Sequence, residues 1–423
     1  MITDPASFLR SLFDKAVAVA DPMRSLAAHL PPEKPPGRVV VVGAGKASAR
    51  MAEAVEAVWG PCEGLVITRY GHARPGLGIE IVEAAHPLPD QAGFQATARM
   101  LDLVAGLGEG DFVLALISGG ASALLVAPVA GVTLAEKQAV NAALLASGAP
   151  ISVINTVRKH LSRVKGGQLA AAAYPARVLC LMISDVPGDD PALIGSGPTV
   201  GDATTPGAAL ALLDRFAVPV STSIRRALKT GSGVVPPGDK RLSRTQNQIC
   251  AAPAQSLAAA AELARAAGCR VKMLGDALEG EARDVAAAQA AQALRLQARL
   301  RPGAAPLLLL SGGELTVTRR GNGIGGPNAE FCLALALALG GAPGIHAIAC
   351  DTDGIDGAAA VAGALIGPKT LFAAGIGQDA AAAAALAMND AHGFFGRIGG
   401  QVVTGPTLTN VNDFRAILIE PLA

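Results

Sequence analysis

Five short apolar runs, each closing in glycine, serine or aspartate, constrain the fold of this chain more than any other feature. They occupy residues 38–46, 112–122, 177–190, 306–314 and 345–357. The apolar part of each run has the length of a strand, which predicts strands buried on both faces in parallel sheets covered by helices. Ligands of such sheets bind where the strands end. The polar closing residues therefore predict an enzyme whose site is built from strand-end loops.

The chain length predicts two domains, because a single hydrophobic core stops growing well below 423 residues. Residues 231–244 are rich in glycine and proline and lack periodicity, so we expect them to link the domains. The fold class is therefore α/β, with domains at 1–232 and 245–423. Helices are expected between the strands. One begins at a capping box formed by Thr133 and Glu136, and three others are predicted over 151–165, 253–267 and 279–300.

Composition argues against several classes of function. The net charge is only +1 and aromatic residues make up 3% of the chain, so neither a basic field nor stacking platforms exist for nucleic acid. No apolar stretch approaches the ~20 residues of a membrane span. The six cysteines are scattered without a Cys-x-x-Cys pair, which is typical of free thiols in a reducing compartment. We therefore expect a cytoplasmic enzyme that acts on a small molecule and has no nucleic-acid or membrane partner. We also expect a homodimer, because homodimers are the commonest oligomers.

The glycine turn after the first run predicts an anion site. Gly43, Gly45 and Lys46 lie between a strand and a helix, where backbone N–H groups face an anion and lysine adds a point charge. The turn does not match a complete P-loop. It is also an incomplete dinucleotide fingerprint, because Ser48 occupies the third glycine position. The alternative is a tight turn that simply needs small residues.

Two serine–glycine turns follow the second and fourth runs. Their hydroxyl and N–H groups suit a carboxylate or phosphate better than acyl transfer, because neither turn has the G-x-S-x-G order of a nucleophile elbow. The alternative is a serine-capped helix. The candidates are Ser118, Gly119, Gly120 and Ser122 in the first turn, and Ser311, Gly312 and Glu314 in the second.

Two loops rich in aspartate follow the third and fifth runs. Carboxylates at strand ends can hold Mg²⁺, which takes one or two protein carboxylates plus phosphate oxygens, and one could accept a hydroxyl proton. The alternative is that these residues cap helices and initiate turns. The candidates are Asp185, Asp189, Asp190, Asp351, Asp353 and Asp356.

The predicted helix over 151–165 carries a second, polar stripe beside its apolar one. Asn155, Arg158, Ser162 and Lys165 fall on this stripe at helical spacing. The mixture of amide, hydroxyl and basic groups makes Arg158 and Lys165 candidates for phosphate binding. A solvated basic face is the alternative.

Taken in chain order, many of these segments resemble the glycerate 2-kinase family whose C-terminal domain is called MOFRL. The resemblance covers nearly the whole chain, and members are described both as glycerate kinases and as hydroxypyruvate reductases. It implies a Rossmann-like N-terminal domain with a parallel sheet, a smaller α/β C-terminal domain and a cleft between them. The matching segments are VVGAGKAS, EAAHPLPD, SGGASALL, INTVRKHLSRVKGGQLA, SDVPGDDPALIGSGPT, SGGELTV, GGPNAEF, DTDGIDG and TGPTLTNVNDF.

The resemblance also implies a reaction, the transfer of the γ-phosphoryl group of ATP to the 2-hydroxyl of D-glycerate, with Mg²⁺. The family's lysine maps onto Lys46 and its acidic motif onto Asp185, with Asp189 alongside, so these three are the expected catalytic residues. Together with the strand-end argument, this makes Asp190, Asp351, Asp353 and Asp356 the expected metal ligands.

One departure from the family concerns its GGRNQE motif. Asn328 matches that motif, but Pro327 stands where many relatives have arginine. The charge of that arginine is therefore absent from this position. Arg158, Lys159 and Lys165 are the candidates to replace it.

Two other functions stay open at this point. An NAD(P)H-dependent hydroxypyruvate reductase would use the nucleotide fold and an acidic residue about 20 residues after the glycine turn, near the position of Glu63. A non-catalytic sensor of small anions would share the fold, although binding alone does not call for so many carboxylates. ATP turnover would separate the sensor from the kinase.

Overall fold

The first half of the protein is built on a six-stranded sheet. In this computed structural model, which describes residues 2–372 and 378–422, the strand order is 3-2-1-4-5-6. Strand pairs 1–2, 1–4, 2–3 and 4–5 are parallel. This is the order of a doubly wound nucleotide-binding sheet, so the Rossmann-like expectation is confirmed. The strands are β1 (Val39–Ala44), β2 (Glu63–Arg69), β3 (Ile79–Ala84), β4 (Phe112–Ile117), β5 (Arg177–Ile183) and β6 (Thr245–Ala251).

Helices precede, connect and follow these strands. They are α1 (Pro5–Ala20), α2 (Pro22–Ser25), α3 (Ser48–Trp59), α4 (Gln91–Val104), α5 (Ala121–Leu124), α6 (Leu134–Ala146), α7 (Ile151–His160), α8 (Gln168–Ala173), α9 (Pro206–Arg215) and α10 (Thr222–Thr230). The capping box of Thr133 and Glu136 is present at the start of α6, as predicted. Short 3₁₀ turns occur at Leu26–His29, Pro187–Asp189, Ile194–Ser196, Lys240–Leu242 and Thr370–Phe372.

Helix α7 is shorter than the sequence predicts. It ends at His160, five residues before the predicted end at Lys165. The Ser162 hydroxyl accepts from the backbone N–H groups of Val164 and Lys165, which closes a local turn that competes with the helix. Ser162 and Lys165 therefore do not continue the polar stripe of α7, and that part of the prediction is wrong.

The second half is built on a mixed six-stranded sheet of order 13-12-11-14-9-7, together with a two-stranded ladder. Its strands are β7 (Arg270–Gly275), β8 (Gly280–Glu281), β9 (Leu307–Ser311), β10 (Leu315–Thr316), β11 (Ile345–Asp351), β12 (Gly363–Ile366), β13 (Gln401–Val402) and β14 (Asp413–Ile419). Its helices are α11 (Pro253–Ala266), α12 (Ala282–Gln297), α13 (Pro327–Leu339), α14 (Gln378–Ala387) and α15 (Ala391–Ile398).

This second sheet corrects the expectation of purely parallel strands. Strands β9 and β11 both run antiparallel to β14, which lies between them. They consequently run in the same direction as each other, so the loops after β9 and β11 leave the sheet at one edge. The amino end of β14 reaches that edge as well, since Asp351 pairs with Asp413 and Ser311 with Arg415.

The chain divides into two compact units whose limits differ from the predicted domains. The central unit consists of Pro22–Asp185 and Asp189–Cys250. The terminal unit consists of the described residues of Met1–Asp21, Val186–Gly188 and Ala251–Ala423.

Two segments account for this difference. Helix α1 belongs to the terminal unit, where Phe13 packs on Phe414 and the carbonyl of Ala16 accepts from Ser256 Oγ at 2.8 Å. The predicted linker belongs to the central unit, because Val235 is fully buried and its N–H donates to the carbonyl of Gly166. Within the described ranges, no helix has the length and apolarity that crossing a membrane requires.

Candidate active site

The glycine turn after β1 packs directly on the serine turn after β4. Because β1 and β4 are neighbours, the Lys46 N–H reaches the carbonyl of Gly119 at 2.8 Å. Gly45 has φ +143°, and a Cβ at this position would lie 2.0 Å from Ser118 Oγ. A Cβ at Gly120 would lie 3.3 Å from Lys46 Cγ and 3.0 Å from His86 Nε2. The glycines thus permit a close approach that places Lys46 next to the second turn.

The hydroxyl of Ser118 is used inside this arrangement. Ser118 is fully buried, and its Oγ accepts from the Ala47 N–H at 3.1 Å and lies 3.1 Å from Ser48 Oγ. Its observed role is to join the two turns, in contrast to the predicted contact with an anion. The half-buried Lys46 is the charged group that the two turns position.

A small pocket with a cavity volume of about 30 Å³ lies in the same unit. Three of its lining residues were predicted from the sequence, namely Ser122, Arg158 and Lys165. Lys137 and Asn141, which both come from α6, were not predicted. The remaining walls are mainly apolar and consist of Pro87, Pro89, Ala123, Val140, Leu144, Val157 and Leu161.

The pocket gathers three cationic side chains without an internal counter-charge. Lys137 Nζ donates to the carbonyl of Leu161 at 2.7 Å, and Lys165 Nζ donates to that of Leu125 at 2.9 Å. Arg158 Nε donates to the amide oxygen of Asn141 at 2.6 Å. Among the residues that the structure describes, none of the three cations has a carboxylate partner. Buried charges are normally paired, so this pocket is suited to an anionic ligand.

Burial, followed for the two lysines by the neighbouring positive charges, lowers the pKa of each of the three groups. Burial, followed by the charge of Arg158, lowers the pKa of Lys137 to about 7. Burial, with the charges of Lys137 and Arg158, brings the pKa of Lys165 well below its usual range. Burial also lowers the pKa of Arg158. An anion in the pocket would oppose these effects, because it favours the protonated forms.

Replacing Lys137 by methionine should stabilise the unliganded protein, and the effect should depend on pH. Below about pH 7 the lysine is protonated in both the folded and the unfolded states, so the full cost of burying its charge is present. That cost falls as pH rises towards the ordinary lysine pKa of about 10.4, where both states become neutral. We expect the melting-temperature gain of Lys137→Met to be largest at pH 6.5 and to shrink steadily by pH 9.5.

The matched control for this prediction is Lys229→Met, since Lys229 is an exposed lysine of the same unit. It should show no comparable trend in melting temperature. A Lys137→Met gain that is independent of pH would contradict the assigned cause.

Ser122, which is half-buried, is held at the pocket by a buried serine. Its Oγ lies 2.8 Å from Ser196 Oγ, which in turn donates to the amide oxygen of Asn155 at 3.3 Å. Ser196 is fully buried and has φ +64°. Sequence reasoning missed Ser196, whose only signal is its position between two glycines, and that pattern is typical of any turn.

The three aspartates after β5 differ in burial and in backbone conformation. Asp185 lies half-buried two residues after the strand. Asp189 has the left-handed φ of +54°. Asp190 is exposed and its carboxylate accepts from the Ala192 N–H at 2.9 Å, which is the contact of a turn-initiating aspartate.

In the terminal unit, Asn328 lies in a buried polar network. Its Nδ2 donates to Asp413 Oδ1 at 2.7 Å, and Asp413 Oδ2 accepts from Arg415 Nη1 at 2.9 Å. Arg415 also donates to the carbonyl of Gly312. The network therefore ties the loop after β9 to the start of α13, and it explains the position of Gly312 without a ligand.

Asp356, one of the predicted metal ligands, is a helix cap in this structure. Its two carboxylate oxygens accept from the backbone N–H groups of Asn328 and Ala329 at the start of α13. His392 Nε2 lies 2.9 Å from the same carboxylate. A negative charge at a helix N-terminus satisfies the free N–H groups there. These contacts give the Asp356 carboxylate a structural role at the start of α13, in contrast to its predicted role as a metal ligand.

Asp351 ends β11, and Asp353 follows it in the next loop. One oxygen of each accepts from the backbone two residues further on, at 2.9 and 2.8 Å. In the described part of the chain no group of three or more His, Cys, Asp or Glu residues forms a ready-made metal site. Mg²⁺ takes only one or two protein carboxylates when phosphate supplies further oxygens, and two carboxylates are present in this loop. Nearby, Ser311 is buried in β9 and Glu314 is exposed.

Known proteins resemble this chain over nearly all of its length. Residues 8–229 match a family model described as a domain of unknown function, DUF4147, and residues 307–413 match the MOFRL family. An Agrobacterium vitis protein that carries the provisional name hydroxypyruvate reductase is 52% identical over 97% of this chain and 94% of its own.

A sequence match and a structural match come from Thermotoga maritima. A protein named D-glycerate 2-kinase is 38% identical over 97% of this chain and 98% of its own. A crystal structure of a glycerate kinase superposes with a TM-score of 0.86 at 36% identity, covering 98% of this chain and 99% of that one. With both domain models matched in order, the chain belongs to the glycerate 2-kinase family, whose members carry a MOFRL C-terminal domain.

Proposed function

We propose that this protein transfers the γ-phosphoryl group of ATP to the 2-hydroxyl of D-glycerate, with Mg²⁺. The observation that carries the proposal is the pocket whose cations, Lys137, Arg158 and Lys165, have no internal counter-charge. A small hydroxy acid supplies the missing carboxylate and has hydroxyls for Ser122 and Asn141. The names of the Thermotoga maritima relatives support the same substrate. The expected cytoplasmic location and homodimeric state stay predictions.

Phosphoryl transfer asks a protein mainly for positioning and for positive charge near the transferred group. We assign that charge to Lys46, because the two turns after β1 and β4 hold it in place. Asp185 is the proposed acceptor of the hydroxyl proton, and Asp189 is its nearest alternative in the chain. Asp351 and Asp353 are the proposed ligands of Mg²⁺, which would neutralise phosphate charge when bound.

The name of the Agrobacterium vitis relative makes a hydroxypyruvate reductase the second candidate. A dinucleotide site needs an acidic residue at the carboxyl end of β2, near the glycine turn. Glu63 has the right spacing in the sequence, but it is the first residue of β2 and pairs with Arg38 at 2.9 Å. In a parallel sheet this is the edge opposite to the glycine turn. Glu63 therefore cannot serve a nucleotide at that turn, which favours the kinase.

The test uses purified protein with ATP, MgCl₂ and D-glycerate, coupled to enolase without phosphoglycerate mutase. Enolase accepts 2-phosphoglycerate directly, so phosphoenolpyruvate should form only when ATP and D-glycerate are both present. A parallel cuvette holds hydroxypyruvate with NADH or NADPH. Oxidation of the nicotinamide without any phosphoenolpyruvate signal would replace the kinase proposal with the reductase.

A further inference from the structure

We propose that Ser196 is a positioning residue that fixes Ser122 as a hydrogen-bond acceptor, so that the pocket selects a ligand with a hydroxyl group. The inference rests on the proposed function, because it concerns how the same pocket would recognise a hydroxy acid. Neither residue is given this role by the family resemblance or by the names of the relatives.

The backbone at Ser196 is the first observation. Its φ of +64° lies between Gly195 at +61° and Gly197 at +60°, so three successive residues adopt the left-handed conformation. A Cβ at Gly195 would lie 3.0 Å from Ala121 Cβ, which explains why that position needs glycine. Left-handed backbone is costly for serine and nearly free for glycine. Backbone geometry alone would therefore favour glycine at position 196, and the serine hydroxyl must have another use.

The hydrogen-bond chain gives that use. The fully buried hydroxyl of Ser196 carries one proton, which it donates to Asn155 Oδ1. Ser196 Oγ must then accept in its 2.8 Å contact with Ser122, which makes Ser122 the donor there. The proton of Ser122 is thus directed away from the pocket, and its remaining lone pair can face a ligand.

Different residues of the pocket would therefore recognise the hydroxyl and the carboxylate of the ligand. A carboxylate has no proton to donate, so Ser122 in this state cannot bind one. A hydroxyl group can donate to Ser122, while Lys137, Arg158 and Lys165 attract the carboxylate. A small acid without the hydroxyl would leave the acceptor lone pair of Ser122 without a ligand donor, so it would bind with one hydrogen bond fewer.

The experiment compares Ser196→Gly with wild type in the full-length protein. Glycine removes the hydroxyl while relieving the left-handed backbone, and a thermal melt of each variant separates a loss of stability from a loss of binding. We would measure the KM for D-glycerate and the inhibition constants of D-lactate and 3-hydroxypropionate, which each lack one of its hydroxyls. Ala217→Gly is the control, because exposed Ala217 also has a left-handed φ of +50° in the same unit.

The expected result is a roughly tenfold higher KM for glycerate in Ser196→Gly, the usual upper range for one lost hydrogen bond. The inhibition constant of the analogue that lacks the recognised hydroxyl should stay within twofold of wild type, since it never made that bond. The double variant Ser122→Ala/Ser196→Gly should bind glycerate no more weakly than Ser122→Ala, because Ser196 acts through Ser122. Ala217→Gly should keep the wild-type KM.

Three results would overturn the inference: an unchanged glycerate KM in Ser196→Gly, an equal weakening of both analogues, or additive effects in the double variant. Failure of the proposed function has a different signature. In that case wild type itself would form no phosphoenolpyruvate in the coupled assay, whereas the Ser196 comparison presupposes wild-type turnover.

Discussion

Replacing Lys46 by alanine should lower the kcat for glycerate phosphorylation by about 100- to 1000-fold, while the melting temperature changes little. This is the usual cost of removing one preorganised group that stabilises charge in a transition state, about 2.7–4 kcal/mol. Lys46 is only half-buried, and its backbone contact with Gly119 does not depend on the side chain. The measurement is steady-state kinetics with the enolase-coupled assay, beside a thermal melt.

The matched control is Lys240→Ala, which removes an exposed lysine of the same unit. Its kcat should equal that of wild type. If Lys46→Ala retained more than a tenth of the wild-type kcat, the central role that we assign to this lysine would be lost.

Among the variants considered, Gly45→Ala should show the largest loss of stability, a decrease of about 2–6 kcal/mol in the free energy of unfolding. A Cβ would lie 2.0 Å from Ser118 Oγ and 2.7 Å from the Ser118 carbonyl oxygen, and the backbone φ of +143° is unfavourable for alanine. Overpacking and a strained backbone each cost about 1–3 kcal/mol. Because natural proteins are stable by only about 5–15 kcal/mol, the melting temperature should fall by several degrees or more.

Gly148→Ala separates the two contributions to this loss. Gly148 has φ +69°, but no atom lies within 4 Å of a Cβ placed there. It should therefore lose only the backbone part, about 1–2 kcal/mol. Equal melting temperatures for Gly45→Ala and Gly148→Ala would show that the close approach to Ser118 is not a tight contact in solution.

Sequence patterns correctly predicted the features that depend on residues close together in the chain. The buried strands end where their apolar runs end, because a strand buried on both faces is apolar at every position. The capping box at Thr133 and the helix predicted at 253–267, observed over Pro253–Ala266, follow from neighbours within one or two turns.

The features that were missed depend on contacts between distant segments. Lys137 looks like the solvated face of an amphipathic helix, and only the packing of α6 against Leu161 shows that it is buried. The polar stripe was predicted to reach Lys165, but α7 ends at His160 because the Ser162 hydroxyl bonds backbone groups that would otherwise continue the helix. Asp356 looked like a metal ligand, since nothing in the local sequence reveals that the start of α13 lies against it. Strand direction in the second sheet likewise depends on β14, which was not among the predicted strands.

The position of α1 sets an order of events during synthesis on the ribosome. The carbonyl of Ala16 is bonded by Ser256, and 240 residues separate the two. At a typical rate of about 5–20 residues per second, α1 waits on the order of 10–50 s for the surface that covers its apolar side. The central unit, which is continuous apart from three residues, can complete its sheet in that interval. During that interval Leu9, Leu12 and Phe13 lack the surface that buries them in the folded protein.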